Sequence, residues 1–392
     1  MAEAFIVAAA RTAGGRRNGR LSGWHPADLA ASVLDALIKR TGCDPALVED
    51  VILGCVGQVG EQASNIARNA VLASKLPESV PATSVDRQCG SSQQALHFAA
   101  QAVMSGAMDV VIAAGVESMS RVPMGTPSSL ALKAGLGFYV SPNMQRRYPD
   151  VQFSQFIGAE MVAKKYGLNR DQVDAFALQS HQRAIAATRA GAFNAEIVPL
   201  AVRLQDGTGP GELHSTDEGI RFDASLASIG SVKLLADGGV CTAANASQIC
   251  DGAAGLMVVN ERGLKALGVA PLARIHQMTV IGGDPVIMLE APIPATRRAL
   301  QKAGMTINDI DLFEVNEAFA SVPVAWLQAT GADPARLNVN GGAIALGHPL
   351  GGSGAKLMTT LLHGLMARGG RYGLQTMCEG GGMANVTIIE RL

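Results

Sequence analysis

The chain has 392 residues, enough for two or three domains with substantial cores. Its 32 Lys and Arg stand against 33 Asp and Glu, so no net field draws it to nucleic acid or an anionic membrane. Aromatic residues are only 4% while glycines number 45, a balance that suits tight turns and backbone lying against ligands more than stacked bases.

Six cysteines (Cys43, Cys55, Cys89, Cys241, Cys250 and Cys378) are scattered with no CxxC pair. That spacing argues against a zinc site and a disulfide framework. It suits a reducing compartment, and a cytoplasmic location is expected. "FIVAAA" (5–10) is too short for a secretory apolar region, and its basic residues follow rather than precede it. It predicts a first buried strand, with Arg16–Arg20 as a solvated loop. No apolar stretch approaches a membrane span, and the final "IIERL" is not a peroxisomal Ser-Lys-Leu.

Residues 33–56, "VLDALIKRTGCDPALVEDVILGCV", predict helix, break, acidic turn and apolar strand. "TSVDRQCGSSQQALHFAAQAV" (83–103) then predicts strand, tight turn and helix, with Cys89 at or just before the helix start. The positive end of a helix dipole and free backbone N–H groups favour a thiolate there. A buried structural cysteine fits this stretch alone equally well. An apolar strand, "DVVIAAGVES" (109–118), follows.

Residues 119–248 differ in kind. Pro/Ser/Gly-rich loops such as "LQDGTGPGELHSTDEG" alternate with amphipathic helices such as "DQVDAFALQSHQRAIAATRAGAF". They predict a long insertion over one face, either carrying ligand contacts or decorative. The earlier pattern then returns. "PATRRALQKAGMTINDIDLFEVNE" (294–317) repeats the helix–break–turn–strand order of 33–56. A second glycine-rich turn opens a small-residue helix at "GGSGAKLMTTLLHGLMARGG". Two similar halves imply a duplicated α/β unit.

The second half has the densest signal. "NVNGGAIALGHPLGGSGA" (338–355) sets His348 in a glycine-rich loop just before a helix. "TMCEGGGMANVTII" (376–389) sets Cys378 at a strand end before three glycines, whose N–H groups can form an oxyanion pocket. "EVNEAFASVPVAW" (314–326) sets Asn316 and Glu317 where strand becomes helix, a place for capping first and a site second. All of these residues end strands or open helices, where ligands bind in open α/β sheets.

With these four loops in order, the chain resembles the thiolase family, the acetyl-CoA C-acyltransferases. The motifs are Cys89-Gly90-Ser91, Asn316-Glu317-Ala318-Phe319, Gly347-His348-Pro349 and Cys378-Glu379-Gly380. The resemblance implies an α/β thiolase fold: duplicated αβα halves forming a five-layer αβαβα core with an inserted loop domain. It places the first half at 1–118, completed by 249–269, the loop domain at 119–248 and the second half at 270–392.

It also implies a mechanism. Cys89 carries the acyl group as a thioester, and His348 takes its proton. Cys378 is the second acid/base. Asn316 holds a water that, with His348, binds the enolate or thioester oxygen. The N–H groups of Cys89 and Gly380 bind the tetrahedral oxyanion. Ser247, in "TAANASQICDGAA", is carried over as a pantetheine contact and Arg221 as a contact near the nucleotide end. Met288 and Ile157 line the acyl wall. Short-chain synthetic members carry His-Met-Gly where this chain has Phe156-Ile157-Gly158, so a broader, degradative substrate range is expected, including branched or steroid side chains. Coenzyme A is a co-substrate, with no tightly held cofactor and no metal. Acyl-CoA and CoA are the partners, in a homodimer or homotetramer whose mates pair through 109–118. Neither nucleic acid nor membrane is a partner. The competing readings are a non-catalytic acyl-CoA or lipid-binding paralogue, a decarboxylating ketosynthase of the same fold and a cysteine hydrolase. Intact Cys89, His348 and Cys378 weigh against the first. Cys378, standing where a ketosynthase would carry a second His or Asn, weighs against the second.

Overall fold

The opening apolar run forms the strand Phe5–Thr12, buried at every position, as a strand covered on both faces must be. The computed structural model describes residues 2–392. Phe5–Thr12 lies at the middle of one continuous sheet. On one side it runs antiparallel to Cys250–Val259, which is followed by Val110–Ser118, Asp50–Gly54 and Ala82–Val85. On the other side come Ala273–Gly282, Met383–Arg391, Tyr372–Glu379 and Leu312–Val315. The two half-sheets are joined where Phe5 pairs with Arg274 and Ile6 with Ala273.

Each half visits its strands in the same order, which makes the duplication spatial. Ala82–Val85 pairs in parallel with Asp50–Gly54. Its counterpart in the second half has shrunk to one parallel bridge, Phe313 to Leu337. The helices follow suit. Pro26–Thr41 and Ile66–Ala73 pack on the outer face of the first half. Pro292–Ala303 and Ser321–Thr330 do the same in the second. Between the two half-sheets lie Ser91–Met104 and Ser353–Arg368, whose Ala95, Leu96 and Ala99 share a core with Ala355, Met358 and Leu361. These helices are buried nearly all round, and small residues let them approach closely. The result is the expected αβαβα stack.

One expectation fails here. Val110–Ser118 has no free edge for a two-fold mate, because it is flanked by Asp50–Gly54 and Cys250–Val259. The free edge in this half belongs to Ala82–Val85. An apolar sequence marked burial, and burial came from being central.

Residues 119–249 add only Ile197–Val198 to the main sheet among the described residues, in parallel with Arg11 and Thr12. The insertion is nevertheless pinned. Fully buried Arg11 donates to Glu196 (2.6 Å) and, through both terminal nitrogens, to Asp217 (2.9 and 3.0 Å). Lys356, from the second central helix, lies 3.3 Å from Asp217. Among the described residues no helix is long and apolar enough to cross a membrane.

Burial opposes ionisation of Asp217, but Arg11 and Lys356 outweigh it and hold the carboxyl at about 2. A folded-state pKa below the unfolded value of roughly 3.9 gives stabilisation that is complete above that value and is lost as pH falls towards 2. Asp217→Ala leaves Arg11 and Lys356 short of a buried partner, and should cost about 3–5 kcal/mol. Urea unfolding at pH 7 should show this loss, and the difference from wild type should shrink as pH falls below 4. A difference independent of pH would contradict the assignment.

Candidate active site

The turn that carries Cys89 is tight. Gln88 has φ 50°, a left-handed conformation that a side-chain-bearing residue adopts only under constraint. The constraints are local. Gln88 N–H donates to Asp86 (2.7 Å), Ser91 Oγ donates to the Gln88 carbonyl (2.6 Å), and Arg87 N–H donates back to Ser91 Oγ (2.9 Å). Cys89 thus sits just ahead of Gly90, the residue that caps the helix Ser91–Met104. Gly90 has no substitute: a Cβ there would lie 2.0 Å from Glu379 Oε1.

The dipole argument for a ready thiolate does not survive burial. Cys89 is 8% exposed, and burial, with Glu379 adding its charge, pushes the thiol up to about 12. Cys378 is pushed well above its ordinary range by burial and then by Cys89 itself, so the two thiols share one locale. Burial, with Lys356 adding to it, lowers His348 to about 3. The unliganded site therefore holds two thiols and a neutral imidazole.

His348 is oriented from two sides. Its Nδ1 meets Ser353 Oγ, whose own hydrogen goes to the Pro349 carbonyl (2.8 Å). Ser353 can then only accept, so Nδ1 carries the proton and Nε2 keeps its lone pair. Nε2 faces Asn316 Nδ2 at 3.4 Å. Asn316 Oδ1 is buried with no protein partner, as a carbonyl waiting for a water would be. Neither Asn316 nor Glu317 caps a helix, since the next one starts at Ser321. Glu317 spends its oxygens on Ser180, Asn338 and the Ile344 N–H. It braces the loop before His348. The N–H groups of Cys89 and Gly380 donate to no other protein group among the described residues. They remain available to an oxyanion.

Two thiols, a neutral imidazole and free N–H donors on four loops at one end of a duplicated sheet agree with the comparisons. The model of "Thiolase, N-terminal domain" matches residues 4–262, and that of "Thiolase, C-terminal domain" matches 269–391. The chain belongs to the thiolase family. It is 52% identical, over its whole length and 95% of the relative's, to "Steroid 3-ketoacyl-CoA thiolase FadA6" of Mycobacterium tuberculosis. It is 41% identical, over the full length of both, to a "3-ketoacyl-CoA thiolase" of Cronobacter sakazakii. The crystal structure of the Bacillus anthracis acetyl-CoA acetyltransferase superposes with a TM-score of 0.91 at 34% identity, covering 100% of this chain and 99% of that one.

In this thiolase the segment holding Ser247 threads between two of the loops. Ser247 N–H donates to the Ala318 carbonyl (2.9 Å), and His348 N–H to the Gln248 carbonyl (3.0 Å). Half-buried Ser247 thus stands beside the reacting groups. Met288 is buried with φ 54°. Gly158 packs on it: a Cβ at Gly158 would meet the Ile287 carbonyl at 2.8 Å and Met288 Cβ at 3.4 Å. Phe156 stacks edge-on against Phe319 at 5.6 Å. With Ile157 it lines a groove of about 410 Å³ that also includes Met161 and Leu235. Arg221 stands apart, exposed, its side chain unpartnered among the described residues.

Sequence reasoning missed three residues. Ser353 holds His348, Glu117 holds the turn after it, and Glu379 lies under Gly90. Only Glu379, a charge inside a glycine turn, left a visible signal. Its contact with Gly90 is testable. Gly90→Ala should destabilise by about 1–3 kcal/mol through overpacking, and Glu379→Ala in the same chain should recover most of that loss. Additive losses in the double variant would rule the contact out.

Proposed function

We propose that this thiolase cleaves 3-ketoacyl-CoA with CoA, through an acyl-Cys89 intermediate. The observation that carries the reading is a neutral His348 whose Nδ1 is held by Ser353, so that Nε2 keeps its lone pair, on one of four loops that also present Cys89 and Cys378. As Cys89 Sγ attacks the 3-keto carbon, its proton passes to His348 Nε2. The bond between C2 and C3 breaks, and Cys378 protonates C2 of the departing acetyl-CoA. A CoA thiol then attacks the thioester and gives its proton to Cys378. The Cys89 sulfur leaves and recovers its proton from His348. The N–H groups of Cys89 and Gly380 receive the tetrahedral oxyanion, and His348 with a water on Asn316 receives the enolate oxygen. Each reaction in reverse gives the Claisen condensation.

Coenzyme A is a substrate here rather than a resident cofactor. Its tail would run across residues 119–248, past Ser247, with Arg221 free for a phosphate. Phe156 and Ile157, beside Met288, support a broad apolar acyl pocket. The named activity of the Mycobacterium tuberculosis relative makes steroid-derived acyl groups the first substrates to try. The free edge at Ala82–Val85 supports a homodimer in which the two edges meet, since an unpaired edge invites association.

The two cysteines should separate cleanly. Cys89→Ser should form no acyl adduct from an acyl-CoA in intact-protein mass spectrometry. Cys378→Ala should still form it, yet lose about 10²–10⁴-fold in exchange of the acetyl-CoA α-hydrogen with deuterated water. Wild-type exchange in Cys378→Ala would remove Cys378 from the mechanism.

For the dimer, Ala82→Pro removes an outward-facing donor from the free edge, since residues 81 and 85 turn their backbone groups inward to Val51 and Cys55. Sedimentation should show a dimer for wild type and a shift towards monomer for the variant. A monomeric wild type at micromolar concentration would refute the dimer.

A further inference from the structure

Behind His348 lies an acid that none of the chemistry above uses. Glu314, on the strand Leu312–Val315, is 3% exposed, and its carboxyl makes no hydrogen bond to protein among the described residues. It lines a small internal cavity of about 20 Å³, together with Ser353, Lys356 and Thr360. That volume holds one or two waters.

The hydrogens of the other polar walls are committed. Lys356 Nζ donates to the Leu346 carbonyl (2.5 Å) and lies 3.3 Å from Asp217. Thr360 gives its hydroxyl hydrogen to Glu196 (3.0 Å). Three side chains can still meet a cavity water: the Glu314 carboxyl, the second lone pair of Ser353 Oγ and the lone pairs of Thr360 Oγ1. Burial, and then the charges of Glu317 and Glu196, push Glu314 well above the usual carboxylate range. The shift is towards the neutral acid, and a carboxyl in either form can hold a water. A buried carboxyl with no protein partner needs one, and a water in the cavity would supply it.

We propose that Glu314 is a positioning residue for His348: its carboxyl holds a cavity water, and that water donates to Ser353 Oγ. The donors then count out. Ser353 gives its one hydrogen to Pro349 and receives one from the water. The lone pair left over can be filled only by His348 Nδ1–H. The hydroxyl can no longer turn into the cavity, and the imidazole is held with Nε2 towards Asn316. The proposal rests on His348 acting as the base for Cys89, but two of its readouts do not involve activity.

A high-resolution crystal structure of the wild-type enzyme should show an ordered water within hydrogen-bonding distance of both Glu314 and Ser353. A dry cavity, or a water that reaches only one of them, overturns the proposal. Glu314→Gln keeps a donor and an acceptor, whereas Glu314→Leu keeps neither. In single-turnover acylation by an acyl-CoA, Glu314→Gln should stay within about 3-fold of wild type. Glu314→Leu should fall towards about 10²-fold, the effect of a misplaced catalytic group. Nitrogen-15 NMR of His348 should show protonated Nδ1 in wild type and Glu314→Gln, and mixed tautomers in Glu314→Leu. Wild-type rate and tautomer in Glu314→Leu, or a Glu314→Gln that fails as badly, refutes the role. If instead His348→Ala acylates at the wild-type rate, the proposed mechanism falls, while the water and tautomer readouts still decide the place of Glu314.

Discussion

The carboxyl of Glu117 ties the turn after His348 to the first half of the molecule. It sits in the strand Val110–Ser118, 2% exposed. It accepts from the N–H groups of Val56 and Gly57 (both 2.9 Å), the amide of Gln62 (2.8 Å) and the N–H of Gly351 (2.8 Å). Three of these donors belong to the first half. The fourth comes from the second half, three residues after His348. Without this anchor the buried N–H groups would need other partners, and the His348 loop would lose its seat on the half that carries Cys89. The seat is also a matter of size. A Cβ on Gly115 would come within 2.3 Å of the Gly351 carbonyl, and one on Gly351 within 2.5 Å of Cys55 Cα. Backbone packs on backbone, so the spacing between the halves has little slack.

That closeness explains the electrostatics. The site forms where the ends of two central helices and the tips of four loops exclude water, so desolvation dominates every titratable group in it. Cys89 and Cys378 are pushed up and His348 down. Neutral thiols and a neutral imidazole buried this deeply have little tendency to form ions, and in the proposed mechanism an incoming carbonyl oxygen takes the developing charge. Fixed N–H donors aimed at that oxygen are worth more here than in water. The helix N-terminus ahead of Cys89 contributes in that sense, to the charge formed during attack rather than to the resting thiol.

The insertion belongs to the same design. Arg11, Glu196, Asp217 and Lys356 form one buried cluster, and Lys356 reaches on to the Leu346 carbonyl. The loop before His348 is therefore held from the first strand, the insertion and the second central helix at once. Such a cluster is weak evidence of net stability. Its geometric consequence is plain: the segment around Ser247, the Asn316 loop and the His348 loop share one set of carbonyl and N–H contacts.

Much of this was legible beforehand. Apolar runs such as "FIVAAA" and "DVVIAAGVES" declared buried strands, and glycine-rich turns before small-residue helices declared the duplicated central pair. Cys89, His348 and Cys378 stood out because reactive side chains at strand ends are rare in an otherwise apolar pattern. These are local properties, set by periodicity and by which residues tolerate tight turns. Other features depend on what packs against a segment, and a single stretch of chain does not contain its neighbours. Strand order made Val110–Ser118 central and left Ala82–Val85 as the edge. Burial overrode the helix dipole at Cys89. Glu317 turned from a capping or catalytic candidate into a brace, because Ser180 and Asn338 reach it from distant parts of the chain. Ser353, Glu117 and Glu314 carry no signal in the sequence at all: a serine or glutamate acquires its role only when folding removes water and leaves a particular imidazole, amide or cavity as its neighbour.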